Sequence, residues 1–234
     1  NVGLTRYTDG KFVTLAQKDG LSTDQTRQVL ETQDGLWVGT RNGLNLYKNR
    51  KFTTIRENVL TTTLFQDSGK NLWIGTGNGG LIRFKEGKLT SFTSGDGLFD
   101  DRVLQILEDG QQNLWMSCNK GIFRVSIKEL EDFAAGKKKT IHSTSYGIAD
   151  GMESSTCNGG PQPSGWKTRD GKLWFPTMKG MTMIDPANIK INQKPPLLMI
   201  EELVVDDKSR TVVAENLKQE MNLPPGKGRL EFHY

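Results

Sequence analysis

Leu36-Trp37-Val38-Gly39, Leu72-Trp73-Ile74-Gly75, Leu114-Trp115-Met116-Ser117 and Leu173-Trp174-Phe175-Pro176 are one unit written four times along the chain. The likeness extends outward from each tryptophan. A tight turn precedes it: Asp34-Gly35, Asp67-Ser68-Gly69, Asp109-Gly110 and Asp170-Gly171. A glycine follows it, at Gly43, Gly80, Gly121 and Gly180, and each of these is followed by an apolar residue, Leu44, Leu81, Ile122 or Met181. Gly-Leu or Gly-Met opens three of the runs, at Gly20-Leu21, Gly97-Leu98 and Gly151-Met152. The tryptophans are 36, 42 and 59 residues apart. Self-similarity at such a period is the signature of a repeat architecture, and about 40 residues per unit fits a propeller blade.

Within a unit the apolar runs are short and bounded by Gly and Asp turns, which is the pattern of strands. The expected strands include Lys51 to Ile55, Val103 to Glu108, Asn113 to Ser117 and Gly121 to Val125. Four strands per repeat make a propeller blade. The period of 3.6 that a helical solenoid needs is missing from these units. The fold class is therefore all-β: a β-propeller fragment of four-stranded blades over residues 1–190, with a partial first blade, three full blades and a last blade. A tryptophan at a fixed blade position packs between neighbouring blades, since a large aromatic side chain has its greatest value in the core.

Two stretches break the period. Ser126 to Gly136 carries Ile127, Leu130, Phe133 and Ala134 at helical spacing, with Ser126 and Glu129 placed as a capping box and Gly136 as a stop. This predicts one short inserted helix between blades, which accounts for the 59-residue spacing. Cys157 to Pro163 is a loop before a strand expected at Gly165 to Arg169. After Pro186 the tryptophan repeat ceases. Lys194-Pro195-Pro196 reads as a stiff linker, Leu197 to Val205 as a strand, Asp206-Asp207-Lys208 as a turn, and Leu217 to Leu223 and Arg229 to Tyr234 as further strands. Residues 195–234 are thus the start of a C-terminal β-sandwich, a second and truncated domain.

The repeated Gly-Leu, Asp-Gly, Leu-Trp-x-Gly-Thr and Gly-Leu-x-x-Tyr/Phe pattern resembles the periplasmic propeller repeats of large bacterial two-component-type sensors. Gly39-Thr40 and Gly75-Thr76 match it fully; Ser117-Cys118 and Pro176-Thr177 depart from it. The segment from Asn158-Gly159-Gly160 to Pro176-Thr177 resembles that family's final blade, and Pro195-Pro196 with Glu201 to Val205 resembles the start of its β-sandwich domain. The resemblance implies a periplasmic sensor module, the extracytoplasmic part of an inner-membrane receptor. Its output, beyond this chain, would be a histidine kinase or a diguanylate cyclase. Ligands in such a family range over small molecules and carbohydrate fragments.

Composition narrows the function further. With 35% hydrophobic and 25% charged residues the chain is globular. A net charge of +4 with scattered lysines and arginines, apart from Lys137-Lys138-Lys139, provides no basic face for nucleic acid. No apolar run approaches 18 residues, so a membrane is reached only through other parts of the polypeptide. The first residues do not read as a signal peptide. The chain opens on Asn1 and stops at Tyr234 inside a strand-like run, as a fragment would. A blade cut at Asn1 leaves an exposed edge, so either Gly3 to Leu15 pairs with the last blade or another chain covers it, which makes self-association an expectation. Cys118 and Cys157, the only cysteines, do not have zinc spacing and are close enough in order for a disulfide to be considered.

No catalytic or cofactor motif emerges. Gly75 to Gly80 contains a literal G-x-G-x-x-G, but a strand rather than a helix follows it, so it is a blade turn. Asp96, Asp100 and Asp101 do not have the spacing of a calcium loop, and no metal or cofactor is expected. An enzyme such as a propeller lyase, or a scaffold without a small ligand, stay as rival readings. For a sensor, the rim loops are the place to look: Ser22 to Gln25, Phe99 to Arg102, and Asn158 to Trp166. Arg27 and Arg102 can fork onto carboxylate or hydroxyl groups, and Asp101 and Gln162 can exchange hydrogen bonds. Trp166, the one tryptophan outside the Leu-Trp repeat, can stack on a sugar.

Overall fold

Each Leu-Trp run becomes the second strand of a sequential antiparallel meander. The first full blade is β3 (Thr26–Thr32), β4 (Gly35–Thr40), β5 (Gly43–Lys48) and β6 (Lys51–Glu57). The second is β7 (Thr61–Gln66), β8 (Leu72–Thr76), β9 (Leu81–Lys85) and β10 (Lys88–Phe92). The third is β11 (Gln105–Glu108), β12 (Asn113–Cys118), β13 (Gly121–Ser126) and β14 (Thr144–Tyr146). A hairpin of β1 (Leu4–Thr8) and β2 (Lys11–Leu15) precedes them, and a last, three-stranded blade follows: β15 (Trp166–Lys167), β16 (Leu173–Thr177) and β17 (Gly180–Ile184). This is a computed structural model, and it describes residues 3–189, 202–205, 208–211 and 229–233.

The chain divides into two compact units, residues 1–189 and 190–234. The second contains β18 (Glu202–Val205), β19 (Lys208–Thr211) and β20 (Leu230–His233), with β18 between the other two. Lys208 opens a strand instead of closing a turn. The expected linker at Lys194-Pro195-Pro196 and strand at Leu217 to Leu223 lie outside the described residues.

The core of the first unit is a series of layers between blades. Trp37 and Leu44 of the first blade pack with Leu64, Leu72, Ile74 and Ile82 of the second. Trp73, Leu81 and Phe92 pack in turn with Ile106, Leu114, Met116 and Phe123 of the third. Leu107, Trp115 and Ile122 do the same with Leu173 and Phe175 of the last blade. Trp37, Trp73 and Trp115 are fully buried. The hairpin joins the series through Leu4 and Leu15, which lie on Leu21, Val38 and Phe52.

The Asp-Gly-Leu or Asp-Gly-Met signal before three blades marks a single-turn device. In Ala16–Asp19, Thr93–Asp96 and Gly147–Asp150, the aspartate carboxylate accepts the backbone N–H three residues earlier, at 2.8–2.9 Å. The glycine that follows turns the chain left-handed. At Gly97 φ is +102°, and a Cβ there would stand 2.0 Å from the Ile141 carbonyl oxygen, so no other residue fits. The run from Gly75 to Gly80 ends β8 and then, over Gly77 to Gly80, turns into β9, with a strand after it as its sequence context requires.

Several expectations change in detail. The helix α1 (Ile127–Ala134) lies between β13 and β14 of the third blade, not between blades. Ile127 and Leu130 are buried as the periodicity requires, with Phe133 and Ala134 packed on the core. Its capping box does not form. Ser126 makes no capping hydrogen bond, and Glu129 Oε1 receives Lys138 Nζ at 2.8 Å and His142 Nδ1 at 3.0 Å. Val103 and Leu104 precede their strand, because Val103 bridges back to the second blade: its N–H donates to the Thr76 carbonyl at 2.9 Å and its carbonyl accepts from the Thr62 hydroxyl. The strand expected at Gly165 to Arg169 contracts to Trp166–Lys167. β1 pairs with β2 and not with the last blade, because its apolar face is taken up by the first full blade. Cys118 and Cys157 are free and buried, with the Cys157 N–H donating to the Cys118 carbonyl at 3.2 Å. Burial, with a smaller repulsion from Cys118, pushes the Cys157 thiol up to about 12.

Candidate ligand site

Position by position, β3, β7 and β11 place a polar, uncharged residue at the same point: Gln28, Thr63 and Gln105 pair with Gly39, Gly75 and Ser117. In β3 and β7 a β-bulge just before this point re-aims the strand. These first strands converge, and a cavity of about 320 Å³ opens where they meet β15. Its lining includes Gln28, Thr63, Gln105, Gln162, Pro163, Trp166 and Lys167, with Leu64 and Leu107 as its apolar wall.

The amides in it are held. Gln28 is buried and its Nε2 donates to the Gly160 carbonyl at 3.4 Å. The Thr63 hydroxyl donates to Gln105 Oε1 at 3.4 Å. Gln162 makes a two-point contact with β3: its Oε1 accepts from the Val29 N–H at 3.0 Å, and its Nε2 donates to the Val29 carbonyl at 2.9 Å. The carboxamide thus supplies the pairing that another strand would give to the free edge of β3, and it ties the loop of Gly160 to Pro163 across to the first blade. The indole of Trp166 is exposed, at the border between the cavity and the outer face of the last blade. No carboxylate lines this cavity among the described residues.

The sequence-derived site residues fall into two groups. Gln162 and Trp166 line the cavity. Arg27 stands beside it: it is the extra residue of the β3 bulge, its Nη2 lies against Gly160, and its buried Nε has no hydrogen-bond partner. Asp101 and Arg102 are not in the lining. Both Asp101 oxygens are engaged by Ser94, from the backbone N–H and the hydroxyl, each at 2.7 Å. The same device recurs where the Gln17 N–H donates to Asp24 at 2.7 Å. Arg102 is exposed and its Nε donates to the Gly77 carbonyl at 3.2 Å. The residues missed from sequence are Gln28, Thr63 and Gln105. Their signal was there: aligned on the tryptophans, each repeat carries the polar residue directly before the apolar pair of its first strand, Val29-Leu30, Leu64-Phe65 and Ile106-Leu107.

Comparisons add the fold's relatives. No family model matches the chain, and no curated protein matches it. Solved structures do. The fold resembles the extracellular domains of bacterial signalling systems. The extracellular domain of the B. thetaiotaomicron hybrid two-component system BT3049 superposes with a TM-score of 0.64 at 19% identity, over 97% of this chain and 33% of that one. The extracellular domain of the one-component system BT4673 of the same organism gives 0.61 at 19% identity, over 78% and 25%. PorZ of Porphyromonas gingivalis, a surface component of the type-IX secretion system, gives 0.51 at 14% identity, over 81% and 28%. The chain therefore spans a third or less of the length of these proteins.

Proposed function

We propose that this chain is an extracytoplasmic sensor segment of a bacterial signal-transduction receptor, and that it binds a small, uncharged, polyhydroxylated ligand, such as a carbohydrate fragment, in the cavity where the first strands meet. One observation carries the ligand class: three carboxamides, a threonine hydroxyl and an exposed indole converge on one cavity whose lining, among the described residues, has no carboxylate and a single charged group, the exposed Lys167. Carboxamides and hydroxyls both donate and accept, so they match hydroxyl groups without a charge to be neutralised. An indole offers a flat apolar face to the C–H side of a sugar ring. The likeness to extracellular domains of two-component and one-component systems supports the signalling role, with the output borne by another part of the receptor.

The test is calorimetric titration of the purified chain with a panel of mono- and oligosaccharides. Gln105→Ala and Trp166→Ala are each expected to weaken binding of the best ligand about tenfold or more, the loss that one well-formed hydrogen bond or stacking contact produces at about 1.4 kcal/mol. Far-ultraviolet circular dichroism of both variants should stay as in the native chain. Unchanged affinity in both variants, with the fold retained, would place the ligand elsewhere and leave the scaffold reading in its place.

A further inference from the structure

Of the described blades only the third carries an inserted helix, and that helix covers a second cavity. The cavity, of about 400 Å³, lies between two complete blades, where the β7–β8 turn of the second meets α1 and the β11–β12 turn of the third. Pockets for small molecules run from about 300 to 1,000 Å³. Asp67, Ser68 and Asn71 of the turn line it, with Lys85 at the end of β9 and Lys128 and Glu131 of the helix. It shares no lining residue with the cavity at the first strands.

Asn71 is 4% exposed. Its N–H donates to Asp67 Oδ1 and its Nδ2 to Asp67 Oδ2, both at 2.8 Å. Turning the amide over would set two acceptors at that distance, so its orientation is fixed. Asn71 Oδ1 is then left buried at the cavity wall without a donor, and buried acceptors in native proteins are almost always paired. The charges around it call for a cation. Asp67 takes its remaining hydrogen bond from the Trp73 indole, and Glu108 takes two from Ser68, the N–H at 2.8 Å and the hydroxyl at 2.6 Å. Neither carboxylate meets a lysine or arginine among the described residues. Glu131 adds a further acceptor: Oε1 faces Lys85 at 3.1 Å and Arg83 at 3.9 Å, and Oε2 has no partner among the described residues. Towards solvent the sign reverses. Lys85 and Lys128 are exposed, and each spends on one carboxylate an ammonium that has three donors.

We propose that this cavity binds a small zwitterion, a free amino acid, with its ammonium on Asn71 Oδ1 and Glu131 Oε2 and its carboxylate on Lys85 and Lys128. An ammonium only donates, so it fits an acceptor that has no donor and has carboxylates behind it. A hydroxyl would satisfy the acceptor and leave the charge unanswered. A metal ion is a poorer fit, because no group of three or more carboxylate, imidazole or thiol ligands comes together among the described residues. The bound amino acid joins the turn of the second blade to the helix of the third.

Calorimetric titration of the 234-residue chain with the common L-amino acids, one at a time, tests this. At least one is expected to bind. N-acetylation of the best, which removes the ammonium, and its methyl ester, which removes the carboxylate, should each weaken binding about tenfold or more. Glu131→Gln and Lys85→Met, at partly exposed side chains, should weaken it as much with the fold retained. Asn71→Leu should abolish it. That change also removes a hydrogen bond to Asp67, so near-ultraviolet circular dichroism accompanies it, and Glu131→Gln decides where Asn71→Leu does not fold. Gln105→Ala, in the cavity at the first strands, should bind the amino acid as the native chain does, and Glu131→Gln should leave sugar binding unchanged, so this site and the sensor reading fail separately. No heat from any amino acid leaves the acceptor to water and overturns the proposal. Unchanged affinity in Glu131→Gln and Lys85→Met overturns it too, as does equal binding of the acetylated form or the ester.

Discussion

Asp109 receives four hydrogen bonds on one buried carboxylate: from the N–H groups of Gln111 and Asn113 at 2.7 and 3.0 Å, from Asn113 Nδ2 at 2.9 Å and from Trp115 Nε1 at 2.8 Å. Asp67 holds Asn71 and Trp73 the same way. In these two blades the Asp-x-x-x-Asn-Leu-Trp spacing is therefore a device that closes the turn and orients the core indole together. Thr32 does part of the same work for Trp37, at 3.1 Å. Trp174 Nε1 is buried without a partner. Burial pushes the Asp109 carboxyl up, but the donors from Trp115, Asn113 and Gln111 outweigh it and hold the group below its ordinary 3.8. A carboxyl depressed in the folded state adds stability that is fully present above its unfolded value, about 3.9, and is lost as pH falls through the folded value beneath it. Asp109→Ala is expected to cost about 2–3 kcal/mol at neutral pH, because it leaves the Trp115 N–H buried and unpaired. Urea denaturation of both proteins from neutral pH downward checks this. The gap between native and variant should narrow once pH falls below about 4. A gap that stays constant there would mean that the carboxylate charge adds nothing.

The inserted helix shows how an element can be legible while its fastening is not. Its apolar period predicts the helix and its buried side, because i, i+3 and i+4 spacing places those residues together on any helix. Ser126 and Glu129 have capping-box spacing, yet Ser126 remains part of β13, opposite Asn113, and the first helical N–H donates instead to the Gln112 carbonyl at 2.9 Å. A tertiary backbone contact has displaced a local one, and no pattern local to the helix encodes that. β14 was illegible for a related reason: three residues after a lysine-rich stretch carry no alternation, and only pairing with β13 makes them a strand. Ser126→Ala should therefore cost less than about 0.5 kcal/mol, where a working N-cap serine costs about 1. Leu130→Ala, which empties a fully buried site, should cost about 3 kcal/mol. Chemical denaturation of the two variants measures both, and a Ser126→Ala loss near 1 kcal/mol would reinstate the capping box.

Across the whole chain, the repeats announced the blades because each tryptophan obeys the same packing demand, and a demand repeated four times is visible without coordinates. The site was less visible. The rim loops look functional for their polar groups, but Asp101 is engaged by its own turn, whereas the convergence of Gln28, Thr63 and Gln105 depends on strands up to 77 residues apart meeting at one place. The same architecture determines how stability is distributed. A blade in a repeat array is stabilised by its own hydrogen bonds and by its interfaces with its neighbours. Among the described residues, the three full blades have both faces covered, whereas the hairpin and the last blade each have one. The ends should therefore open at lower free energy than the middle. In amide hydrogen exchange at low protein concentration, β1, β2 and β15 to β17 are expected to exchange first, then β4, with β8 and β12 last. β8 and β12 lie furthest inside the series, in blades that pack against a neighbour on both faces. Protection at the ends equal to that of β8 in dilute solution would show that the chain unfolds as one block, with no gradient along the series of blades.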